Sequence, residues 1–510
     1  MLVKIILLLL FFGCMIAVGL YARRSANSMT DFVLGGRSVG PWLSAFAYGT
    51  SYFSAVVFVG YAGQFGWKYG LASTWIGLGN AVIGSLLAWV AMGRRTRVMT
   101  HHLEVATMPD FFGRRYDSSV IKIVASAIAF VFMIPYTASV YNGLSRLFGM
   151  AFDIPYTVCV ITMAVLTGVY VILGGYMATA INDFIQGIIM LFGIVAVIGA
   201  VLSGQGGFIE AVRKLSELPS DVPVTMGQQG AFASFFGTDP LNLLGVIILT
   251  SLGTWGLPQM VHKFYAIKSE KAIKTGTIVS TFFAVIVSGG CYFLGGFGRL
   301  FDAEALYKAD GSVMYDAIVP SMLSTLPDLL IGVVIILVLS ASMSTLSSLV
   351  LTSASTLTLD FIKGNIVKEM NDKKQLIYIR VLIVFFIVIS VVLALNPPTF
   401  IAQLMGISWG ALAGAFLAPF LYGLYWKGVT RAGVWASFLC GVGITVSNMF
   451  FKFIASPINA GAAAMIAGLI ITPVVSLVTP KINAAFVNKM FQCYDNTAKV
   501  SSKEYLKEEA

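Results

Sequence analysis

Long apolar stretches, separated by short polar connections, follow one another along almost the whole 510-residue sequence. A helix needs about 20 apolar residues to cross the roughly 30 Å hydrocarbon layer of a bilayer, and the stretches have about that length. We predict thirteen membrane-spanning helices, at 3–21, 41–65, 70–92, 120–147, 155–174, 181–203, 235–261, 274–297, 328–361, 376–396, 399–425, 432–452 and 460–479. The pattern therefore indicates an all-α polytopic membrane protein with little room for a soluble domain.

Two of these spans contain residues that weaken a helix near its middle. The second reads "AFAYGTSYFSAVVFVG", with Gly49 and Thr50, and the seventh reads "LTSLGTWGLPQMVHKF", with Gly253 and Pro258. Local unwinding would free backbone carbonyls, which survive in a membrane only inside protein or beside a wet cavity. Close packing through small residues, or a simple kink at Pro258, is the alternative. The two spans lie five apart and cross in opposite directions, as broken helices do in the inverted repeats of secondary transporters.

The ninth span carries a run of hydroxyl side chains, "LSASMSTLSSLVLTS", at 339–353. The hydroxyls belong to Ser340, Ser342, Ser344, Thr345, Ser347, Ser348, Thr352 and Ser353. Four of these serines share one helix face. They could act as polar contacts between helices, or they could join freed carbonyls in binding a monovalent ion. A divalent ion would need several carboxylates, and the best one within the spans is Asp183, for which capping a helix start is the alternative role.

The composition and the charge distribution place the chain in a membrane and orient it. Hydrophobic residues make up 58% and charged residues 11% of the sequence, with a mean hydropathy of +0.87. Of the 33 Lys and Arg residues, 25 fall on the side that holds the C-terminus and 8 on the other. The positive-inside rule then predicts an external N-terminus and a cytoplasmic C-terminus, with His262 and Lys263 at the cytoplasmic surface. The same asymmetry explains the net charge of +10 without a nucleic-acid partner.

Several motifs, taken in order, carry a resemblance to a known family. They are "DFVLGGRSVGPW", "GTSYFSAVVFVGYAGQFGWKYG", "GGYMATAINDFIQG", "WGLPQMVHKFYA" and "SASMSTLSS". In these the chain resembles the sodium:solute symporter family, most closely its bacterial sodium/proline and sodium/pantothenate branches. The resemblance implies a leucine-transporter-type core of two inverted five-helix repeats. It divides the chain into an extra helix and first cytoplasmic loop (1–40), a first repeat (41–203), an extracellular loop (204–234), a second repeat (235–425), two further helices (426–480) and a cytoplasmic tail (481–510).

The resemblance also implies three groups of site residues in the plasma-membrane protein. The shared sodium site would consist of Thr50, Phe53, Ala341, Ser344 and Thr345. A second sodium site, which would allow two ions per cycle, would consist of Asp183, Ser347 and Ser348, together with Ser344. The candidate solute-binding residues are Tyr52, Ser54, Tyr136, Thr250, Thr254, Trp255 and Pro258.

The expected function is sodium-coupled import of a small organic solute by alternating access. Tyr52 replaces an aspartate of the proline branch and is more like the pantothenate branch, which favours a small carboxylate such as pantothenate or a monocarboxylate over proline. No Lys or Arg is expected to face the solute, so an anionic group would be held by amides, hydroxyls and helix dipoles. Coupling to protons through Asp183 is the first alternative, and a channel or membrane sensor is the second. The sequence predicts no enzyme, and it leaves the oligomeric state open.

Overall fold

The computed structural model describes residues 2–23, 28–152, 154–363, 365–399 and 401–494. The part of the predicted cytoplasmic tail from 495 onward lies outside the described residues. Among those that are described, helices dominate and the β-structure consists of isolated bridges.

The α-helices are numbered here in chain order. They are α1 Leu2–Ala22, α2 Met29–Leu34, α3 Pro41–Tyr52, α4 Ala62–Tyr69, α5 Thr74–Gly79, α6 Arg94–His102, α7 Met108–Arg115, α8 Ser119–Phe152, α9 Tyr156–Gly204, α10 Phe208–Glu217, α11 Pro240–Gly256, α12 Pro258–Tyr265, α13 Glu270–Gly295, α14 Tyr315–Ser324, α15 Asp328–Thr356, α16 Asp372–Leu395, α17 Ile401–Tyr425, α18 Arg431–Phe451 and α19 Pro457–Val478. Turns of π-helix connect or extend several of them, at Val56–Tyr61, Asn80–Leu87, Trp89–Gly93 and Leu357–Ile362.

The number of membrane crossings agrees with the sequence prediction. Ten of the described helices are long and apolar enough to span a bilayer, or eleven with the bent pair α11 and α12. Two of the ten, Val56–His102 and Tyr156–Gly204, have 47 and 49 residues, which is twice the length that one crossing needs. Each is divided by a glycine at positive φ, Gly70 (φ 59°) and Gly175 (φ 56°). Counted as two crossings each, they bring the total to the thirteen predicted.

Both predicted helix breaks are present. Helix α3 ends at Tyr52, Phe53 is extended (φ −110°, ψ 97°), and a helix resumes after Ala55. Helix α11 ends at Gly256, and α12 begins at Pro258 with its axis turned by 45°. The missing N–H of proline costs nothing at the first position of a helix, so Pro258 starts α12 without loss.

The helix with the hydroxyl run lies at the centre of the protein. Residues 337–356 of α15 are all buried, and the helix packs against α3, α8 and α9. Helix α3 also approaches α9 closely, because a Cβ at Gly187 would lie 2.2 Å from the ring of Phe46 and 3.1 Å from Thr50. The broken helix α3 is therefore held between α9 and α15, with its hydroxyls and freed carbonyls facing protein.

Ion pairs between distant segments support the alternation of the crossings. Each pair near the ends of the helices joins two segments that the thirteen-span prediction puts on the same side. The pairs are Lys4 with Asp328 (2.9 Å) and Arg299 with Asp221 (2.6 Å) on one side, and Arg94 with Glu270 (2.9 Å), Lys122 with Asp360 (3.5 Å) and Arg431 with Asp117 (2.7 Å) on the other. The side with Asp221 and Asp328 is called the loop face below.

Candidate functional site

Oxygen atoms from two helices converge where α3 is interrupted. The Ser344 hydroxyl lies within hydrogen-bond distance of the Thr50 carbonyl (3.0 Å) and of the Ala341 carbonyl (3.1 Å). The Thr345 hydroxyl lies 3.4 Å from the Thr50 carbonyl, 3.3 Å from that of Ser51 and 3.2 Å from that of Ala341. The structure thus brings together four of the five residues that the sequence predicts for the shared sodium site.

The fifth residue, Phe53, lies at the interruption itself. Its extended conformation turns its carbonyl away from the helical direction, and its ring stacks on Tyr52 at 4.3 Å between centroids. A Phe53 residue in helical conformation would have directed its carbonyl along α3, so the break is what makes this carbonyl free for another partner.

The spacing of these oxygens suits a cation of the size of Na⁺. Ca²⁺, which has nearly the same radius, takes oxygen ligands at about 2.3–2.6 Å, so two ligands at a right angle about the ion lie roughly 3.4 Å apart. The Ser344 and Thr345 hydroxyls lie at hydrogen-bond distances of 3.0 to 3.4 Å from the carbonyls, which are close to that value. These ligands are neutral, which favours a monovalent ion over a divalent one.

Asp183 is a buried residue in the interior of a helix. The helix that contains it continues from the break at Gly175 to Gly204, so Asp183 lies two turns inside and does not cap a helix start. Its side chain is 0% exposed, and neither carboxylate oxygen receives a hydrogen bond from the residues that the structure describes. The ammonium of Lys263 lies 3.6 Å from one of these oxygens.

The expectation that His262 and Lys263 lie at the cytoplasmic surface is wrong. They are 5% and 2% exposed, because α12 turns by 45° after the break and inserts between other helices. The Lys263 ammonium donates to the Ser348 hydroxyl (2.9 Å) and lies 5.3 Å from the centre of the Tyr176 ring. The imidazole of His262 packs edge-on against the same ring at 5.5 Å.

The other residues predicted for a second sodium site have protein partners. The Ser348 hydroxyl is hydrogen-bonded to that of Ser51 (2.8 Å) in addition to Lys263. The Ser347 hydroxyl donates to the Ser344 carbonyl (2.9 Å) within its own helix. Asp183, Lys263, Ser348 and Ser51 therefore form one buried polar cluster that connects α9, α12, α15 and α3.

Aromatic side chains surround the predicted solute site. Trp409 of α17 stacks on Tyr52 (6.1 Å between centroids) and meets Tyr136 of α8 edge-on (5.8 Å). The indole approaches α11 at Gly253, where a Cβ would lie 2.6 Å from its ring. The Tyr136 hydroxyl and the Trp409 N–H are buried, and neither forms a hydrogen bond of normal geometry with the described residues, although the Tyr136 hydroxyl lies close to the Ser54 and Trp409 side chains. Two donors without a well-formed hydrogen bond therefore lie beside the break in α3.

The remaining predicted solute residues lie nearby but engage backbone groups. The Tyr52 hydroxyl donates to the Thr250 carbonyl (2.6 Å), and the Thr254 hydroxyl to the Gly84 carbonyl (3.1 Å). The indole N–H of Trp255 donates to the Ile83 carbonyl (2.9 Å), and the Ser54 hydroxyl accepts from the backbone N–H of Val56 (3.1 Å). The Thr250 hydroxyl donates to the Val246 carbonyl one turn earlier (2.9 Å), and Pro258 begins α12. These contacts hold the two broken helices and the segment around Gly84 together.

Sequence reasoning missed three residues of this region: Ser51, Lys263 and Trp409. Ser51 lies in "AFAYGTSYFSAVVFVG", the segment in which the sequence predicts a weakened helix, but nothing in the sequence gives it a role of its own. Trp409 lies in "GISWGALAG", where glycines around one large ring could have indicated a close contact. For Lys263 the signal was its place only five residues after Pro258 in an apolar segment.

Two cavities lie at the loop face. One of about 570 Å³ is lined by Gln64, Lys68 and Arg299 and also by Val246, one turn from Thr250 on α11. A second, of about 520 Å³, contains Asp316 of α14, a helix outside the membrane-spanning segments. Burial raises the pKa of Asp316 to about 6, and this rise is opposed by the hydrogen bond from the backbone N–H of Ile401 and by the charges of Arg146 and Lys308.

Comparisons with known proteins agree with this architecture. The model of the family described as "Sodium:solute symporter family" matches residues 32–441. Sodium/proline symporters of Staphylococcus aureus strains JH9 and JH1 are each 29% identical over 500 residues, which cover 94% of this chain and 92% of the relative.

Two solved structures share the fold. A substrate-bound, outward-open Na⁺-coupled sialic acid symporter superposes with a TM-score of 0.77 at 16% identity, covering 94% of this chain and 98% of its own. Mhp1, a nucleobase-cation-symport-1 family transporter in a closed conformation, superposes with a TM-score of 0.55 at 12% identity, covering 92% and 98%.

Proposed function

Since this chain belongs to the sodium:solute symporter family, we propose that it imports a small organic carboxylate or amino acid together with sodium, by alternating access. Membership in this family makes the chain a multi-pass membrane transporter with sodium as its coupling ion. The finer points, namely the ion-binding residues, the solute and the orientation, are our proposals. The oligomeric state is not part of them.

The convergence of oxygens at the break in α3 is the observation that carries the proposal. We assign the coupling ion to the carbonyls of Thr50, Phe53 and Ala341 and the hydroxyls of Ser344 and Thr345. Their lack of net charge supports Na⁺ over a divalent ion, which would need several carboxylates. Because the ligands come from both α3 and α15, a bound ion would hold these two helices together and order the solute site beside them.

The solute is assigned from the donors that face it. Tyr136 and Trp409 offer a hydroxyl and an indole N–H without a well-formed hydrogen bond, and a carboxylate is the acceptor that binds such donors best. The likeness to sodium/proline symporters makes proline the first amino acid to test. The neutral Tyr52 favours an anion such as pantothenate or a monocarboxylate. The other proposed contacts are Tyr52, Ser54, Thr250, Thr254, Trp255 and Pro258.

We further propose an external N-terminus and a cytoplasmic C-terminus. Of the 33 basic residues, 24 remain on the cytoplasmic side after Lys263 is removed from that count, against 8 on the loop face. The solute would then reach the site through the cavities at the loop face, and α3/α4 and α11/α12 would be the equivalent broken helices of repeats 41–203 and 235–425. Each positive charge imported at 100 mV supplies about 2.3 kcal/mol.

Uptake into proteoliposomes tests the proposal. Labelled proline, pantothenate, acetate, pyruvate and sialic acid would be offered with an inward gradient of sodium chloride or of choline chloride, at one fixed pH inside and outside. We expect accumulation of one carboxylate-containing solute with sodium only. Uptake that ignores sodium and follows an imposed pH gradient would instead support the proton-coupled alternative through Asp183.

A further inference from the structure

A buried ammonium group occupies the place where the sequence resemblance expects a second sodium ion. The Lys263 ammonium lies 3.6 Å from the Asp183 carboxylate and 2.9 Å from the Ser348 hydroxyl. We propose that Lys263 is a resident cation that replaces the second sodium, so that the chain binds one sodium ion per cycle. This inference deepens the proposed function and rests on its assignment of the first sodium to Ser344 and Thr345.

The electrostatics of the cluster favour one cation over two. Asp183 is fully buried, and a buried carboxylate is stable in its ionised form only beside a positive partner. Lys263 supplies one full positive charge, so the pair is neutral. A sodium ion at Asp183 would stand within a few ångströms of the ammonium, and two like charges at that distance repel strongly in a medium of low polarity.

The hydrogen bonds of the cluster point the same way. A serine hydroxyl has one donor and two acceptor positions. Ser348 accepts from Lys263 and shares a second hydrogen bond with Ser51, and Ser347 donates to the Ser344 carbonyl. The Ser348 oxygen, one of those that would have to coordinate a second ion, is therefore already engaged by the lysine ammonium and by Ser51.

The fold holds the ammonium in this place. Lys263 lies in the last turn of α12, which is buried along its whole length and lies between α3, α6 and α15. The face of the Tyr176 ring, 5.3 Å away, adds a favourable contact for a cation. Because the lysine is covalently attached, it neutralises Asp183 without crossing the membrane, and only the sodium at Ser344 and Thr345 would move charge with the solute.

The inference is tested by the binding of ²²Na⁺ to the purified full-length protein in detergent, without any solute. The measured quantity is the number of sodium ions bound per protein molecule at saturation. We expect one sodium for the native chain. Lys263→Ala removes the ammonium and leaves room beside Asp183, so that variant should bind two. The double variant Asp183→Asn with Lys263→Ala should return to one. Lys268→Ala, at an exposed lysine five residues away, is the matched control and should stay at one.

Two results would overturn the inference: two ions bound by the native chain, or one ion bound by folded Lys263→Ala. If Lys263→Ala cannot be purified in sodium or choline salts, Asp183→Asn decides the question. That variant should keep a count of one, and a fall to zero would place the single sodium at Asp183 and contradict us. If the native chain and the Thr345→Val variant both bind no sodium, the result would instead refute the proposed sodium site itself.

Discussion

Thr345 is the most informative residue to change, because its hydroxyl lies within 3.4 Å of three carbonyls on two helices. Thr345→Val keeps the branched shape and removes the oxygen. A polar contact to a charged group contributes about 1.5–3 kcal/mol, and we take the lower value because Ser344 reaches two of the same carbonyls. Since about 1.4 kcal/mol corresponds to a factor of ten, Thr345→Val should raise the half-saturating sodium concentration about tenfold.

The assay is the initial rate of solute uptake into proteoliposomes over a range of sodium concentrations, with choline holding the ionic strength constant. Ser344→Ala with Thr345→Val should raise the half-saturating sodium concentration further than Thr345→Val alone, because the two hydroxyls share the Thr50 and Ala341 carbonyls. Ser342→Ala is the control, because that buried hydroxyl donates to the Val338 carbonyl of its own helix and should leave the sodium response unchanged. A shift below threefold in Thr345→Val, or an equal shift in Ser342→Ala, would refute the assignment.

Two further predictions concern the solute and the loop face. Tyr136→Phe should raise the half-saturating solute concentration about tenfold at saturating sodium, because a donor to a carboxylate is lost. Tyr141→Phe, which removes another buried hydroxyl of α8, is the control and should leave that concentration unchanged. Equal effects of the two variants in the uptake assay would contradict the solute assignment. Burial raises the folded pKa of Asp316 from 3.8 to about 6, so ionisation destabilises the fold as pH rises from about 4 to 6. Asp316→Asn should therefore stabilise the protein at pH 7.5, by up to about 3 kcal/mol, and should leave its stability unchanged at pH 4. The measurement is the unfolding midpoint in detergent, and an equal shift at both pH values would contradict this role of Asp316.

The positions of the spans and their breaks could be predicted because both depend on local composition. Hydropathy alone marks the segments that can cross a bilayer, and Gly49 and Pro258 weaken a helix whatever surrounds them. The hydroxyls of α15 were recognisable for a related reason, since eight of them within an apolar span need partners inside the protein. The assignment of Ser344 and Thr345 to one site came from the family resemblance, and the structure adds their distances to α3.

The partners of single side chains could not be predicted in the same way. Lys263 was counted with the surface cations because a lysine near the end of a span usually reaches water. Its burial depends on the direction of α12, and its two partners lie 80 residues before it and 85 residues after it in the chain. Trp409 likewise lies beside the proposed solute residues only because α17 packs beside α8 and α11.

The sequence by itself determined the class of the protein, the positions of its apolar spans and two segments in which a helix is weakened, because each follows from the chemistry of neighbouring residues. The tertiary structure alone decided which buried charge neutralises which. Asp183 needs a positive partner, for which the family resemblance implies a sodium ion, whereas the sequence placed Lys263 at the cytoplasmic surface. The 45° turn at Pro258 brings the ammonium of Lys263 to the carboxylate, and the cost of leaving a buried charge unpaired makes that placement decisive.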